Sequence, residues 1–169
     1  MRMPITRREW MLASLCWSEL LAARAAHGAS SFTVLTPAEA LEIRALTNTI
    51  LPETDTPGAE QAGTIQFIDA ALAGFDHDQL PVYRQGLADV ASRSRRMFPP
   101  ATRFSELSES QRTALLQSIE KTEFFDKLRT HTILAYFGNP QFGWKLLGRD
   151  PSMHFEPPFG FYDAENKAE

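Results

Sequence analysis

Apolar residues recur every three or four positions along most of the chain between residues 35 and 138. This spacing is typical of amphipathic α-helices, in which residues three or four apart lie on one face. No stretch of β-branched residues alternates with period two for long enough to indicate a strand. The apolar stretches are separated by Pro, Gly and capping residues. The pattern therefore predicts an all-α fold, with one domain of about five helices over residues 30–137.

The first two predicted helices have clear start and stop signals. Thr36 is suited to the N-cap, Pro37 to the first helical position, and Glu39 completes a capping box. Pro52 ends this helix, and a loop rich in Pro, Gly, Thr and acids follows. A short second helix is predicted over residues 64–72, with a glycine just beyond it. The predicted apolar positions are Leu41, Ala45, Leu46 and Ile50 in the first helix, and Ile65, Phe67, Ile68, Ala71 and Leu72 in the second.

The other three predicted helices are separated by two breaks. The third begins near Pro81 and ends before Pro99, and the fourth begins at a capping box at Ser108. The fifth follows a break near Lys121 and continues to Gly138. In chain order, the predicted buried positions are Leu80, Tyr83, Leu87, Val90 and Met97, interrupted by Ser94; then Leu115, Leu116 and Ile119; then Phe124, Phe125, Leu128, Thr132, Ala135 and Tyr136.

Residues 138–169 differ in character from the helical part and are predicted to form a loop and a Pro- and aromatic-rich tail. The prolines of this tail exclude a continuous helix. Its large apolar rings would favour aggregation if they were exposed to solvent. The tail is therefore predicted to pack on its own helices, on another protein, or on both. The side chains predicted to contact a partner are Asn139, Phe142, Trp144, Phe155, Phe159, Phe161 and Tyr162.

The first 29 residues have the layout of a bacterial export signal. Arg7 and Arg8 are followed by an acid and then by Trp10 and Met11, and a modestly apolar segment leads to small residues. The arginine pair indicates the twin-arginine route, which exports proteins that are already folded. The apolar run is too short and too charged to span a bilayer. The alternative is an amphipathic N-terminal helix that stays on the protein.

Charge and cysteine content exclude several classes of function for the remaining chain. Residues 1–29 contain four of the 17 basic and two of the 21 acidic residues, so the remainder carries 13 basic against 19 acidic residues. A mildly acidic domain has no electrostatic attraction for nucleic acid or anionic lipid. The single cysteine, Cys16, lies within the predicted signal. A mature chain without thiols could form no disulfide, cysteine-ligated cluster or covalent haem site.

No catalytic motif is apparent. The chain lacks Gly-x-Ser-x-Gly, His-Glu-x-x-His, a phosphate-binding loop and Gly-x-Gly-x-x-Gly. Asp76-His77-Asp78 is the one tight cluster of potential metal ligands, and helix capping explains it without a metal. His131 is predicted to be a hydrogen-bonded histidine at the edge of the core, and Glu106 and Glu109 to be solvated acids at a helix start. No catalytic, cofactor-binding or metal-binding residue is therefore assigned.

Short segments spread over residues 35–148 also occur in the same order in a known family. They are Leu35-Thr36-Pro37, Thr49-Ile50-Leu51-Pro52, Thr54-Asp55-Thr56-Pro57-Gly58-Ala59, Phe67-Ile68-Asp69, Phe104-Ser105-Glu106-Leu107 with Gln111, Phe124-Phe125-Asp126-Lys127-Leu128-Arg129 with Thr132, and residues 138–148. In this order the chain resembles the gluconate 2-dehydrogenase subunit 3 family. It departs from many relatives at Gly143, which is followed directly by Trp144, so that the loop is shorter.

The resemblance implies a role as the small subunit of an exported flavoprotein dehydrogenase. In such complexes a large subunit of the glucose–methanol–choline type carries FAD, and electrons pass to a cytochrome subunit with haem c or to another acceptor. The small subunit carries neither cofactor. It stabilises the large subunit and escorts it through the twin-arginine translocase to the periplasm. On this interpretation the chain is not itself an enzyme, and the complex oxidises gluconate-like sugars or alcohols.

Two other hypotheses remain open at this stage. The chain could be a free-standing exported binding or structural domain without a catalytic partner, which the shortened loop after Phe142 would accommodate. Alternatively, it could be a helical enzyme that uses His77 and the acids beside it, although helix capping already accounts for those residues. The substrate of the complex does not follow from the sequence.

Overall fold

A computed structural model describes residues 32–139. This part of the chain contains five α-helices and two short 3₁₀ turns, and no strand. It confirms the predicted all-α, five-helix fold. The helices are α1 (Pro37–Ile50), α2 (Thr64–Ala73), α3 (Leu80–Met97), α4 (Glu109–Ile119) and α5 (Glu123–Gly138), and the 3₁₀ turns are His77–Gln79 and Phe104–Glu106.

The helix starts confirm what the local sequence predicted. The Thr36 hydroxyl accepts a hydrogen bond from the Glu39 backbone N–H at 3.2 Å, while the Thr36 N–H donates to the Glu39 carboxylate at 2.8 Å. At the start of α4 the Ser108 N–H donates to the side chain of Gln111 at 2.9 Å. These contacts satisfy backbone groups that have no partner within the helix, so a few adjacent residues decide where each helix begins.

The main core lies where all five helices meet. Its most enclosed members include Ile43, Leu46, Tyr83, Leu115 and Leu128, none of which is exposed. A smaller cluster joins α2 to α5 and consists of Phe67, Ala71, Leu134 and Ala135. The buried face of α2 is the predicted one. Burial of these apolar side chains is the main favourable term in the stability of the domain.

One predicted apolar position in α1 and one in α3 are wrong. Leu41 of α1 is 47% exposed and Met97 of α3 is 38% exposed. Leu46 of α1 and Tyr83 of α3 are buried, as predicted. The core side of α3 also includes Gly86, where there is no room for a side chain. Hydrophobicity alone therefore does not identify every core position.

Two carboxylates, one buried and one half-buried, fix two irregular segments against the helices. Both oxygens of Asp69 in α2 accept backbone N–H groups: those of Thr33 at 2.7 Å, Val34 at 3.0 Å and Leu35 at 3.0 Å. Asp69 is 5% exposed, so these charge-assisted hydrogen bonds compensate for its burial. Glu42 of α1 likewise accepts from the Phe104 N–H at 2.9 Å. The segment before α1 and the second 3₁₀ turn are thereby held in place.

Candidate functional site

The described part of the chain contains a buried chain of polar side chains at the junction of three segments. The hydroxyl of Tyr83 lies 2.8 Å from Nδ1 of His131, and Nε2 of His131 lies 2.8 Å from Oδ2 of Asp76. Lys127 Nζ is 3.5 Å from the same carboxylate oxygen. Tyr83 and His131 are almost completely buried. We call Asp76, Tyr83, Lys127 and His131 the histidine relay.

Three elements supply the relay. α5 contributes His131 and, one turn earlier, Lys127; α3 contributes Tyr83; and the connection between α2 and α3 contributes Asp76. Aromatic rings enclose the imidazole. The ring of Tyr83 stacks on it with the centroids 5.8 Å apart, and Phe67 and Phe75 contact it edge-on at 6.3 and 6.4 Å. This packing fixes the orientation of the imidazole.

For a neutral imidazole, the hydrogen bonds assign the donor and acceptor roles within the relay. A neutral imidazole has one donor and one acceptor nitrogen. Because ionised Asp76 can only accept, Nε2–H donates to it, and Nδ1 accepts from the Tyr83 hydroxyl. The hydrogen bond from His131 lowers the pKa of Asp76 despite its partial burial, and the positive charge of Lys127 acts in the same direction. Burial raises the pKa of Tyr83 well above its usual value, and the charge of Asp76 adds to this.

This geometry cross-links the domain. The side chains of Asp76 and Lys127 are 23% and 26% exposed, so this end of the relay reaches water. Tyr83 and His131 are enclosed. The relay therefore attaches the α2–α3 connection and α3 to α5.

The sequence predicted part of this cluster and missed its connection. The prediction of a hydrogen-bonded His131 is confirmed, although the side chain is fully buried and not at the edge of the core. The interpretation of Asp76 as a capping residue is wrong, because its side chain makes no capping hydrogen bond and turns toward His131. His77 and Asp78 are exposed. No local signal could reveal the relay, since 55 residues separate Asp76 from His131 along the chain.

The other predicted polar positions lie at the surface of the described domain. No three His, Cys, Asp or Glu side chains of this range lie close enough together to hold a metal ion. Glu106 and Glu109 are exposed acids at helix starts, as predicted. Between α3 and the start of α5 lies an open groove of about 270 Å³. Asp89 on its edge is already paired with Arg93 at 2.7 Å.

Most of the predicted export and partner residues lie outside the described residues. They are Arg7, Arg8, Trp10 and Met11 in the first 31 residues, and Phe142, Trp144, Phe155, Phe159, Phe161 and Tyr162 beyond residue 139. Asn139 is described and is 6% exposed. Its side-chain amide donates to the backbone oxygen of Ala62 at 2.9 Å. This side chain therefore fixes the end of α5 beside the start of α2.

Comparison with known proteins gives one match. A family model described as Gluconate 2-dehydrogenase subunit 3 matches residues 37–151, a range that includes all five described helices. No curated protein and no solved structure matches the chain. Within residues 32–139, no helix is both long enough and apolar enough to cross a membrane.

Proposed function

Because the chain belongs to the gluconate 2-dehydrogenase subunit 3 family, we propose that it is a non-catalytic accessory subunit of an exported dehydrogenase. The observation that carries the proposal is the family match over residues 37–151. The family takes its name from one subunit of an enzyme, so the chain is part of an enzyme complex. The proposal adds that the partner subunit holds FAD and performs the oxidation of a sugar, sugar acid or alcohol.

The described helices support a stabilising role over a catalytic one. The histidine relay is buried at its inner end, where the enclosed Tyr83 and His131 are hydrogen-bonded to each other. Both nitrogens of the imidazole are already occupied by hydrogen bonds within the chain. Such a cluster stiffens the domain that presents a binding surface. It provides neither a free base nor an open pocket for a substrate.

The proposed second task is to escort the partner through the twin-arginine translocase to the periplasm. Arg7 and Arg8 precede the apolar segment of the signal layout. Since this route carries folded proteins, one signal can serve a complex that has assembled beforehand. The partner would then be exported on the signal of this chain, with its FAD already bound. A cytochrome subunit with haem c would be a further partner that accepts the electrons.

The test is to change both arginines of the signal to lysine in cells that also produce the partner flavoprotein. With Arg7→Lys and Arg8→Lys we expect both proteins to remain in the cytoplasm, as measured by immunoblotting and FAD content of periplasmic fractions. Arg24→Lys, which also preserves charge within the first 29 residues, is the matched control and should leave export unchanged. The escort proposal fails if the partner reaches the periplasm when the doubly substituted chain does not.

One sequence feature favours a second candidate, a free-standing exported binding domain. The loop after Phe142 is short, because Gly143 is followed directly by Trp144. If this loop contacts the flavoprotein in relatives, its shortening would weaken that contact. Purification of the tagged chain from its native cells separates the two candidates. Recovery of a flavoprotein in a fixed ratio supports the accessory subunit, whereas a monomer without a partner supports the free-standing domain.

A further inference from the structure

Positive charge is concentrated at the end of α3 and in the segment that follows it. The described part of the chain contains 10 basic and 14 acidic residues, so it is negative overall. Between Asp89 and Glu106, however, the chain has four arginines and no acidic residue. Three of these arginines, Arg95, Arg96 and Arg103, are exposed. The end of α3 is therefore a positive region on a negative domain.

Two of the arginines have no partner in the described part of the chain. Arg93 is held by an ion pair with Asp89 at 2.7 Å and by a hydrogen bond to the backbone oxygen of Ser118 at 3.1 Å. Arg95 and Arg96, by contrast, form neither an ion pair nor a side-chain hydrogen bond with a described residue. The dipole of α3 favours cations in its last turn, but this attraction is weak and screened by salt. Both guanidinium groups are therefore available to a partner.

An exposed apolar side chain adjoins these two arginines. Met97, the last residue of α3, is 38% exposed. The backbone after it is fixed, because the Ala101 N–H donates to the Phe98 oxygen at 2.9 Å and both side chains pack against the main core. We call Arg95, Arg96 and Met97 the arginine surface. A fixed backbone presents this surface, which reduces the entropy that binding would cost.

The chemistry of the arginine surface fits an acidic protein surface better than a nucleic acid or a membrane. A guanidinium group binds a carboxylate through two parallel hydrogen bonds. Arginine and methionine are also enriched at protein interfaces relative to the rest of the surface. A nucleic acid or an anionic membrane would in addition meet the net negative charge of the domain, which repels an extended polyanion. The surface therefore fits a protein that presents a few carboxylates beside an apolar side chain.

We propose that the arginine surface docks on an acidic patch of the partner flavoprotein. Arg95 and Arg96 pair with carboxylates of this patch, and Met97 packs against an apolar side chain beside them. The inference rests on the proposed function, because it identifies a surface of this chain that holds the catalytic subunit. A second copy of the chain is the poorer occupant, since contact between two unlike surfaces would form rings or filaments.

The test measures how fast the flavoprotein dissociates from the tagged full chain. Both proteins are produced together, the complex is immobilised through the tag, and the loss of bound FAD is followed during a salt wash. With Arg95→Gln and Arg96→Gln we expect roughly tenfold faster dissociation, because two charged pairs of the interface are lost. The unsubstituted complex should dissociate faster as the salt concentration rises, and the substituted complex should depend less on salt.

Lys121→Glu is the matched control, because it lowers the net charge by the same amount at another exposed residue. It should leave the dissociation rate unchanged. An unchanged rate after Arg95→Gln and Arg96→Gln would overturn the inference and leave the proposed function intact. A lower Tm of this variant than of Lys121→Glu would also overturn it, since the arginines would then stabilise the domain itself.

Two further outcomes would assign the arginine surface to another occupant and overturn the inference. One is binding of the chain to vesicles of phosphatidylglycerol and phosphatidylethanolamine that is lost with Arg95→Gln and Arg96→Gln. The other is formation of oligomers by the chain alone that these substitutions abolish. If the unsubstituted chain recovers no flavoprotein at all, the proposed function fails and the inference fails with it.

Discussion

At the scale of single residues, His131 shows how a buried polar group is accommodated in this domain. The imidazole has two partners of opposite character, a phenol that donates and a carboxylate that accepts. An unpaired polar group at 1% exposure would reduce stability, and the relay leaves neither nitrogen unpaired. The hydrogen bonds also connect residues that are 48 and 55 positions apart along the chain.

Removing the hydroxyl of Tyr83 should destabilise the domain, because Nδ1 of His131 would lose its hydrogen-bond partner. Tyr83→Phe preserves the ring that stacks on His131 but leaves Nδ1 without a donor. We expect a loss of about 1–3 kcal/mol in the free energy of unfolding, measured by urea denaturation at neutral pH. Tyr136→Phe is the control, because Tyr136 is also buried but no hydrogen bond of its hydroxyl occurs among residues 32–139. Equal effects of the two substitutions would contradict the assignment of the relay.

The carboxylate end of the relay predicts a dependence of stability on pH. The folded-state pKa of Asp76 is lowered, chiefly by the hydrogen bond from His131. Its ionised form therefore stabilises the folded protein fully above the unfolded-state pKa of about 3.9, and this contribution disappears as pH falls through the folded-state pKa. The stability advantage of wild type over Asp76→Asn should therefore shrink as the pH falls below about 4. An advantage that grows in acid would refute this assignment.

At the scale of elements, the contact between α3 and α5 depends on the absence of a side chain. A Cβ atom at Gly86 would lie 2.1 Å from Cγ of Phe124, far inside van der Waals contact. The ring of Phe124 also meets Tyr83 edge-on, with centroids 5.5 Å apart. Gly86 therefore lets the two helices approach closely enough for Tyr83 to reach His131. The helical pattern of apolar residues contains no sign of this requirement.

Gly86→Ala should destabilise the domain although alanine is the better helix former. The gain in helix propensity is about 1 kcal/mol, whereas overpacking costs typically 1–3 kcal/mol and more where backbone must move. We expect a net loss in the free energy of unfolding. Ser92→Ala, at an exposed position of the same helix, is the control because it changes helix propensity without changing core packing. It should be neutral or slightly stabilising. Combining Gly86→Ala with Phe124→Leu should recover part of the lost free energy of unfolding. If the effects of the two substitutions simply add, there is no direct clash between residues 86 and 124.

At the scale of the whole molecule, both exits from the described domain are fixed to α2. Asp69 in α2 binds the backbone of residues 33–35, and Asn139 is bound to Ala62 just before α2. The two ends of the described range are therefore both held by α2 or by the residues just before it, although 104 residues separate Leu35 from Asn139 along the chain.

The predicted partner-binding residues of the tail give a prediction at this scale. Phe159→Ser together with Phe161→Ser should weaken assembly with the flavoprotein, because two aromatic anchors are lost from the proposed interface. Tm of the isolated chain should remain unchanged. Co-purification of the tagged chain measures the first effect and thermal melting measures the second. A sharp fall in Tm would place these rings in the chain's own core instead.

Much of the fold follows from the sequence, because helix starts and stops are local. Thr36 with Glu39, Ser108 with Gln111, and the glycine after α2 act within one turn of their positions, and the structure has each helix where they indicate. Family membership could likewise be predicted from the sequence, because the resemblance depends on the order of short segments over much of the chain.

Tertiary structure alone decided which face of a helix is buried and which polar groups meet. Leu41 and Met97 are apolar yet exposed, whereas Gly86 and Ser94 are buried, because the distance between helices sets the room at each position. The pairing of Asp76 with His131 likewise depends on the packing of the α2–α3 connection against α5. Capping reflects interactions of adjacent residues. Packing and long-range hydrogen bonds reflect the summed geometry of all five helices, which no single stretch of sequence contains.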